Sequence, residues 1–269
     1  LQPTLDEKEL MHHSFTGDLA TRGWEVHHQG GAPKRFQVLG ERSSGTNFVK
    51  RLIARNTELQ HSDALGWKHA APLMLAVPAD MTVVCTFRAA DAWARSMHSK
   101  PWHCTPALQK LAFSDFIRAP WDTIIDRPRY FPWADAPEYH GQPLQADRHP
   151  LTGEMFGNLF ELRQVKLRAL LGFLQRHSSC VFLRLETVQN DPHAFLADLR
   201  RQLALSPPAT PYRPITKRLG SRFPPGVETR PEPTSKISPP DYPRLRPPPC
   251  PVPDTTDGPR RQHIHHHHF

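Results

Sequence analysis

Two glycines, Gly40 and Gly45, follow the apolar run Phe36-Gln37-Val38-Leu39 and lead into Thr46-Asn47-Phe48-Val49. An apolar strand, a turn with G-x-x-x-x-G spacing and a helix make the outline of a phosphate-cradling loop. Such a loop offers backbone N–H groups and a helix N-terminus to an anion. Thr46 and Asn47 stand where a nucleotide-hydrolysing loop carries Lys and Ser/Thr. The lysine that reaches the β- and γ-phosphates is therefore missing, and no clear hydroxyl is left for magnesium. The expected chemistry is phosphate binding without ordinary ATP turnover. Ser43-Ser44-Gly45 also fits a plain strand-to-helix turn with an N-cap.

The elements around this loop alternate between strand and helix. Phe36–Gly40 reads as a buried strand, and the spacing of Phe48, Val49, Leu52 and Ile53 predicts a helix over Thr46–Asn56. A short element, Ala64–His69, ends in Trp67-Lys68-His69. Met81–Phe87 is a continuous β-favouring run, as in a strand covered on both faces, and Arg88 ends it. Asp91–Met97 reads as helix. Residues 101–150 are rich in Trp, Pro, His and Asp, with short helical pieces such as Leu108–Ile117; they read as an irregular insertion and a candidate substrate lid. Leu159, Leu162, Val165, Ala169 and Phe173 predict an amphipathic helix over Asn158–Leu174. Cys180–Leu185 follows as a buried strand. Asp191-Pro192 then opens a helix as N-cap and first-turn proline, with Phe195, Leu199 and Leu203 inward.

This order predicts an α/β fold, a three-layer sandwich around a central parallel sheet with a P-loop-like phosphate-binding turn. Ligands of such sheets lie beyond the carboxyl ends of the strands, where the Arg42 loop, Lys68-His69 and Arg88 would all fall. Residues 1–34 read as a polar, weakly patterned N-terminal extension, residues 35–229 as the α/β domain, and residues 230–269 as a Pro-rich disordered tail.

Charge separates the two ends. Of the 30 prolines and the net charge of +8, residues 206–269 hold 17 prolines and a net +5. The basic character belongs mainly to the tail, which weakens a nucleic-acid role for the folded part. Cys85, Cys104, Cys180 and Cys250 show no CxxC spacing, so neither a disulfide framework nor a zinc site is expected. A reducing compartment is the better reading, with a cytoplasmic location. No segment approaches a membrane span, and the first 30 residues lack a signal-peptide core. The His265–His268 run is read as a tag remnant or compositional accident rather than a metal site.

Three segments together resemble sulfotransferases that use 3′-phosphoadenosine 5′-phosphosulfate (PAPS). Arg42-Ser43-Ser44-Gly45-Thr46 is similar to their 5′-phosphosulfate loop, with Arg42 where carbohydrate sulfotransferases carry a lysine. Phe87-Arg88, with Ser96 eight residues on, resembles the family's 3′-phosphate site. Arg184-Leu185-Glu186-Thr187-Val188 followed by Asp191-Pro192 resembles a structural strand-loop-helix segment of the family. The likeness spans roughly residues 34–225, and residues 101–150 align with nothing in it.

The resemblance implies transfer of a sulfonate from PAPS to a hydroxyl or amine of a small-molecule or carbohydrate acceptor, leaving 3′,5′-ADP. It implies in-line attack without metal, since one sulfonate needs no magnesium clamp. Arg42 and the N–H groups of Ser44, Gly45, Thr46 and Asn47 would hold the 5′-phosphosulfate; Arg88 and Ser96 would hold the 3′-phosphate. Cytosolic members carry a Lys-Thr-His segment whose His is the base. Lys68-His69 falls in that interval without the Thr, making His69 the candidate base and Lys68 a neutralising cation. Glu41 or Asp63 could instead serve, as carboxylates do in carbohydrate sulfotransferases. Lys217-Arg218-Leu219-Gly220 resembles the family's late basic loop over the 3′-phosphate and is equally a solvated basic turn. Trp67, Trp93, Trp102 and Trp133 read as packing residues, one of which could stack on adenine. Two other readings stay open: a P-loop nucleotide-binding, kinase-like protein, and a non-catalytic protein of sulfotransferase fold whose tail docks an SH3-like groove or a polyanion.

Overall fold

The computed structural model describes residues 16–74, 76–127, 130–131, 136–176 and 179–216. These all belong to one unit, Leu1–Ile237. The Pro-rich tail, the histidine run, Trp133 and the Lys217–Gly220 loop lie outside the described residues.

In chain order the elements begin with α1 (Asp18–Thr21), β1 (Trp24–His27), β2 (Arg35–Gly40), α2 (Thr46–Asn56) and β3 (Gln60–His61). Next come β4 (Met81–Phe87), α3 (Ala90–Ser99), and two short helices, α4 (Pro106–Gln109) and α5 (Phe113–Phe116). The chain continues with α6 (Leu159–Leu171), β5 (Cys180–Arg184), α7 (Leu185–Asn190) and α8 (Pro192–Gln202).

The strands form one sheet in the order β1-β5-β4-β2-β3. β2, β3, β4 and β5 run parallel, with Leu39 opposite Cys85 and Cys85 opposite Phe182. The expectation of a purely parallel sheet needs correction: β1 pairs antiparallel to β5, Trp24 opposite Leu183, and the sheet is mixed. The N-terminal stretch read as a polar extension thus supplies an edge strand. Its alternation is obscured because Glu25 is buried, where it accepts bonds from His27 at 2.7 Å and from the Thr16 N–H at 2.6 Å.

The period-two rule sorts the strand side chains into two clusters. Phe36, Val38, Val84, Val181 and Leu183 meet Val49, Leu52 and Ile53 of α2 and Phe195 and Leu199 of α8. Leu39, Val83, Cys85, Cys180 and Phe182 meet Leu170 of α6 and Phe173 and Leu174 in the 3-10 turn that follows it. Helices therefore cover both faces, which explains why these strands read as continuous apolar runs. Each fully buried aliphatic side chain in these clusters contributes about 1.5–3 kcal/mol.

Local signals work as physics requires at the helix ends. Asp191 accepts from the Ala194 N–H at 3.0 Å with Pro192 in the first turn, and Asn158 accepts from Phe160 and Glu161. Elsewhere the structure differs from expectation. Ala64–His69 forms turns rather than a regular element, and the strand there is the two-residue β3 before it. Helix α7 follows β5 directly at Leu185, so no loop separates them. The buried stripe of α6 is Leu159, Leu162, Lys166 and Leu170; Val165 and Ala169 are only partly covered. The insertion carries a small core of Ile125, Phe131 and Leu144 against Trp67 and is tied by isolated bridges such as Trp121 to Phe156. Among the described residues no helix is long and apolar enough to cross a membrane.

Candidate functional site

The site forms where β2 and β4 end side by side. Gly40, the last residue of β2, leaves no room for a side chain: a Cβ there would come within 2.8 Å of Thr86 Cγ2 and 2.9 Å of its carbonyl. The chain then turns through Glu41–Ser44, closed by the Ser44 N–H on the Glu41 carbonyl at 3.2 Å. Ser43 adopts φ 62°, a left-handed conformation that non-glycine residues hold only when their surroundings impose it. Gly45, at φ 83°, is the N-cap of the eleven-residue α2 and brings no side-chain cap. Among the described residues the first-turn N–H groups of α2 thus have no side-chain cap, and they carry the positive end of the helix dipole.

The residues picked out by sequence take different parts in this arrangement. Ser44 faces inward: its Oγ donates to the Glu41 carbonyl at 2.6 Å, and its own carbonyl accepts from Thr86 Oγ1 at 2.9 Å. Thr46 is buried and Asn47 exposed at the start of α2. Lys68 reaches the loop from the turn after β3, donating to Asn47 Oδ1 at 2.6 Å, while its carbonyl accepts from the Gly40 N–H at 2.9 Å. Burial and the neighbouring Lys50 ammonium push the Lys68 amine down to about 8. Two ammonium groups near an uncapped helix N-terminus are a setting that favours an anion.

Arg88 leaves β4 and donates from Nη1 to the Ser43 carbonyl at 3.1 Å, so its guanidinium touches the same loop. Glu186 accepts from the neighbouring Ala89 N–H at 2.9 Å. Ser96 sits part-buried farther along α3, and among the described residues no hydrogen bond joins it to Arg88.

Arg42 departs from the expected placement. Its guanidinium is buried against the insertion, donating to Asp147 at 2.5 Å and to Thr123 at 3.4 Å, with the rings of Trp67 and Trp121 at 5.8 and 5.2 Å. A desolvated cation needs a paired anion, and Asp147 supplies it. Lys166 of α6 donates to the other oxygen of the same carboxylate. Burial alone would raise Asp147, but Arg42 and Lys166 outweigh it and hold the carboxyl down at about 2.

His69 lies behind the loop. Its Nδ1 is 2.7 Å from the Gly40 carbonyl, an acceptor only, so Nδ1 carries the proton and the neutral ring keeps its Nε2 lone pair. Burial, together with the Lys68, Arg42 and Lys166 charges, holds the ring well below the usual histidine range. The imidazole is neutral at pH 7. The two carboxylates weighed as bases differ sharply. Asp63 is largely exposed, 3.6 Å from His61. Glu41 is buried and bonded to Arg163 at 2.7 Å, and its Oε1 has no hydrogen-bond partner among the described residues. Burial, only partly offset by Arg163, Lys166 and Arg42, raises Glu41 to about 7.

The structure also brings in residues the sequence did not single out: Asp147, Arg163 and Lys166. One signal was available for Lys166, which stands four residues from both Leu162 and Leu170 in a buried helical stripe. Among the described residues there is no cluster of three or more His, Cys, Asp or Glu that could hold a metal ion. No family model matches the chain, and neither a curated protein nor a solved structure matches it.

Proposed function

We propose that the chain is a PAPS-dependent sulfotransferase with a three-layer, P-loop-like architecture around its mixed sheet. The observation that carries the reading is the contact of Arg88 with the Gly40–Gly45 loop. Neighbouring parallel strands deliver a guanidinium and an uncapped helix N-terminus to one place. One doubly phosphorylated adenosine would span the two.

In this reading the α2 N-terminus and Lys68 hold the 5′ end of the donor, and Arg88, with Ser96, holds the 3′-phosphate. Lys68 takes the role first assigned to Arg42, whose charge is committed to Asp147. PAPS supplies the sulfonate and departs as 3′,5′-ADP. His69 Nε2 accepts the proton of an acceptor hydroxyl or amine as it attacks sulfur in line. Lys68 offsets the charge that spreads over the sulfonate oxygens. Positioning and electrostatics carry such transfers, as they do in phosphoryl transfer. The aromatic insertion beside Trp67 would face the small-molecule or carbohydrate acceptor.

A kinase-like nucleotide-binding protein is the second reading. It is favoured by one fact, a lysine ammonium arriving at the phosphate loop from another segment. Thermal shift separates the two: stabilisation by 3′,5′-ADP and none by Mg-ATP supports sulfotransfer, and the reverse supports the rival. Transfer of labelled sulfonate that survives EDTA distinguishes an enzyme from a binding protein.

A further inference from the structure

The face of α6 that meets the site carries cations in place of apolar groups. Arg163 donates from Nη1 to Glu41 Oε2 at 2.7 Å and from Nη2 to the Arg88 carbonyl at 2.7 Å. One guanidinium thereby ties the residue after β2 to the residue after β4. Its carbon lies 4.7 Å from the centroid of the Trp93 ring, and Trp93 Nε1 donates to the Arg42 carbonyl at 2.9 Å. One turn along α6, Lys166 donates to the His69 carbonyl at 2.6 Å and to Asp147.

We propose that Arg163 is a positioning residue: it fixes the separation of Glu41 and Arg88, and with it the span of the anion site between the ends of β2 and β4. Lys166 is the second arm of the same brace, at His69. Glu41 and Arg88 lie at the ends of neighbouring strands, and a planar guanidinium can serve two acceptors in a fixed fork, which a lysine ammonium on a flexible stem does not reproduce. Arg163 also faces a carboxylate whose other oxygen has no hydrogen-bond partner among the described residues. The charged groups around Glu41 are Arg163 and Lys166 from α6, Arg42 from its own loop and Asp147 from the insertion. Arg163 is the strongest of them in favouring the ionised form.

The proposal rests on the sulfotransfer reading only for the identity of the anion. It is tested on the full chain, labelled with carboxyl-13C glutamate, by infrared titration of Glu41 and calorimetric binding of 3′,5′-ADP. The proteins are wild type, Arg163→Gln, Arg163→Lys and the control Arg35→Gln, whose arginine pairs with Asp80 at the opposite end of β2. Arg163→Gln is expected to move the Glu41 midpoint upward by about one unit and to weaken 3′,5′-ADP about tenfold. Arg163→Lys is expected to restore the midpoint and not the affinity; Arg35→Gln changes neither. A folded Arg163→Gln with wild-type midpoint and affinity overturns the proposal, and so does full recovery of affinity in Arg163→Lys. If Arg163→Gln does not fold, the affinity of Arg163→Lys decides alone: a loss supports the proposal and wild-type binding overturns it. If wild type itself does not bind 3′,5′-ADP, the sulfotransfer reading fails. The Glu41 midpoint then decides the positioning role, an upward shift in Arg163→Gln supporting it and none overturning it.

Discussion

The ammonium of Lys68 stands 2.6 Å from the side-chain oxygen of Asn47, the second residue of α2. A basic group absent from the loop's own spacing arrives there from the turn after β3. Lys68→Gln is expected to weaken 3′,5′-ADP binding by about 1.5–3 kcal/mol, the worth of a charge-assisted bond. The amine sits at about 8 in the free protein. Wild-type affinity should therefore hold below that pH and decline above it as the ammonium loses its proton, whereas Lys68→Gln should show no such decline. Calorimetry across the range checks both.

Arg88 presents a fork of donors at the end of β4, one of which is already on the Ser43 carbonyl. Arg88→Ala should weaken 3′,5′-ADP by about 1.5–3 kcal/mol while leaving adenosine 5′-phosphate less affected, because the lost contact is to the 3′ end. Equal losses for the two ligands would remove Arg88 from the 3′-phosphate.

His69 is held in one tautomer by Gly40, and its ring is neutral at working pH. His69→Ala should lower sulfonate transfer by roughly 10²–10⁴-fold with nucleotide affinity near wild type. Single-turnover kinetics read this directly. Retained activity would return the proton-accepting role to a carboxylate.

Glu41 gives the pH dependence of stability a definite sign. Its folded value, about 7, lies above the unfolded 4.5. The stabilisation linked to its proton is complete below pH 4.5 and is lost as pH rises through about 7. The size is on the order of 3 kcal/mol at 1.36 kcal/mol per unit. Glu41→Gln should remove that slope from urea titrations run between pH 4.5 and 8. A slope shared by both proteins would assign it to another group.

Asp147 works in the opposite direction. Its carboxyl is held at about 2, below the ordinary 3.8, so its contribution is present above pH 3.8 and lost as pH falls through about 2. Asp147→Asn leaves Arg42 and Lys166 buried without their shared counter-ion and should cost about 3–5 kcal/mol in chemical denaturation. A loss within 1 kcal/mol, about the usual worth of an exposed pair, would show that the cations find water instead.

What the sequence made legible follows from burial. β2, β4 and β5 are covered on both faces, so their apolar runs stand out, and Asp191-Pro192 marks its helix start through a cap that depends on neighbours alone. β1 does not stand out, because Glu25 occupies an inward position through its bonds to His27 and Thr16. The turn at Gly40–Gly45 is readable from glycine spacing. The destination of Arg42 is not, since Asp147 lies 105 residues away in an insertion without regular pattern. Lys166 lay in plain view within an apolar stripe, but only its tertiary partners explain why a cation belongs there.

The antiparallel pairing of β1 with β5 has a consequence for how the chain is made. Trp24–His27 is synthesised more than 150 residues ahead of its partner Cys180–Leu183. At about 5–20 residues per second, the first strand waits roughly eight to thirty seconds for that partner. Closing that loop costs more entropy than closing the loops of the parallel pairs, though only slightly more than for β4 with β5 because the cost grows with the logarithm of length, and this would place the strand among the last to dock.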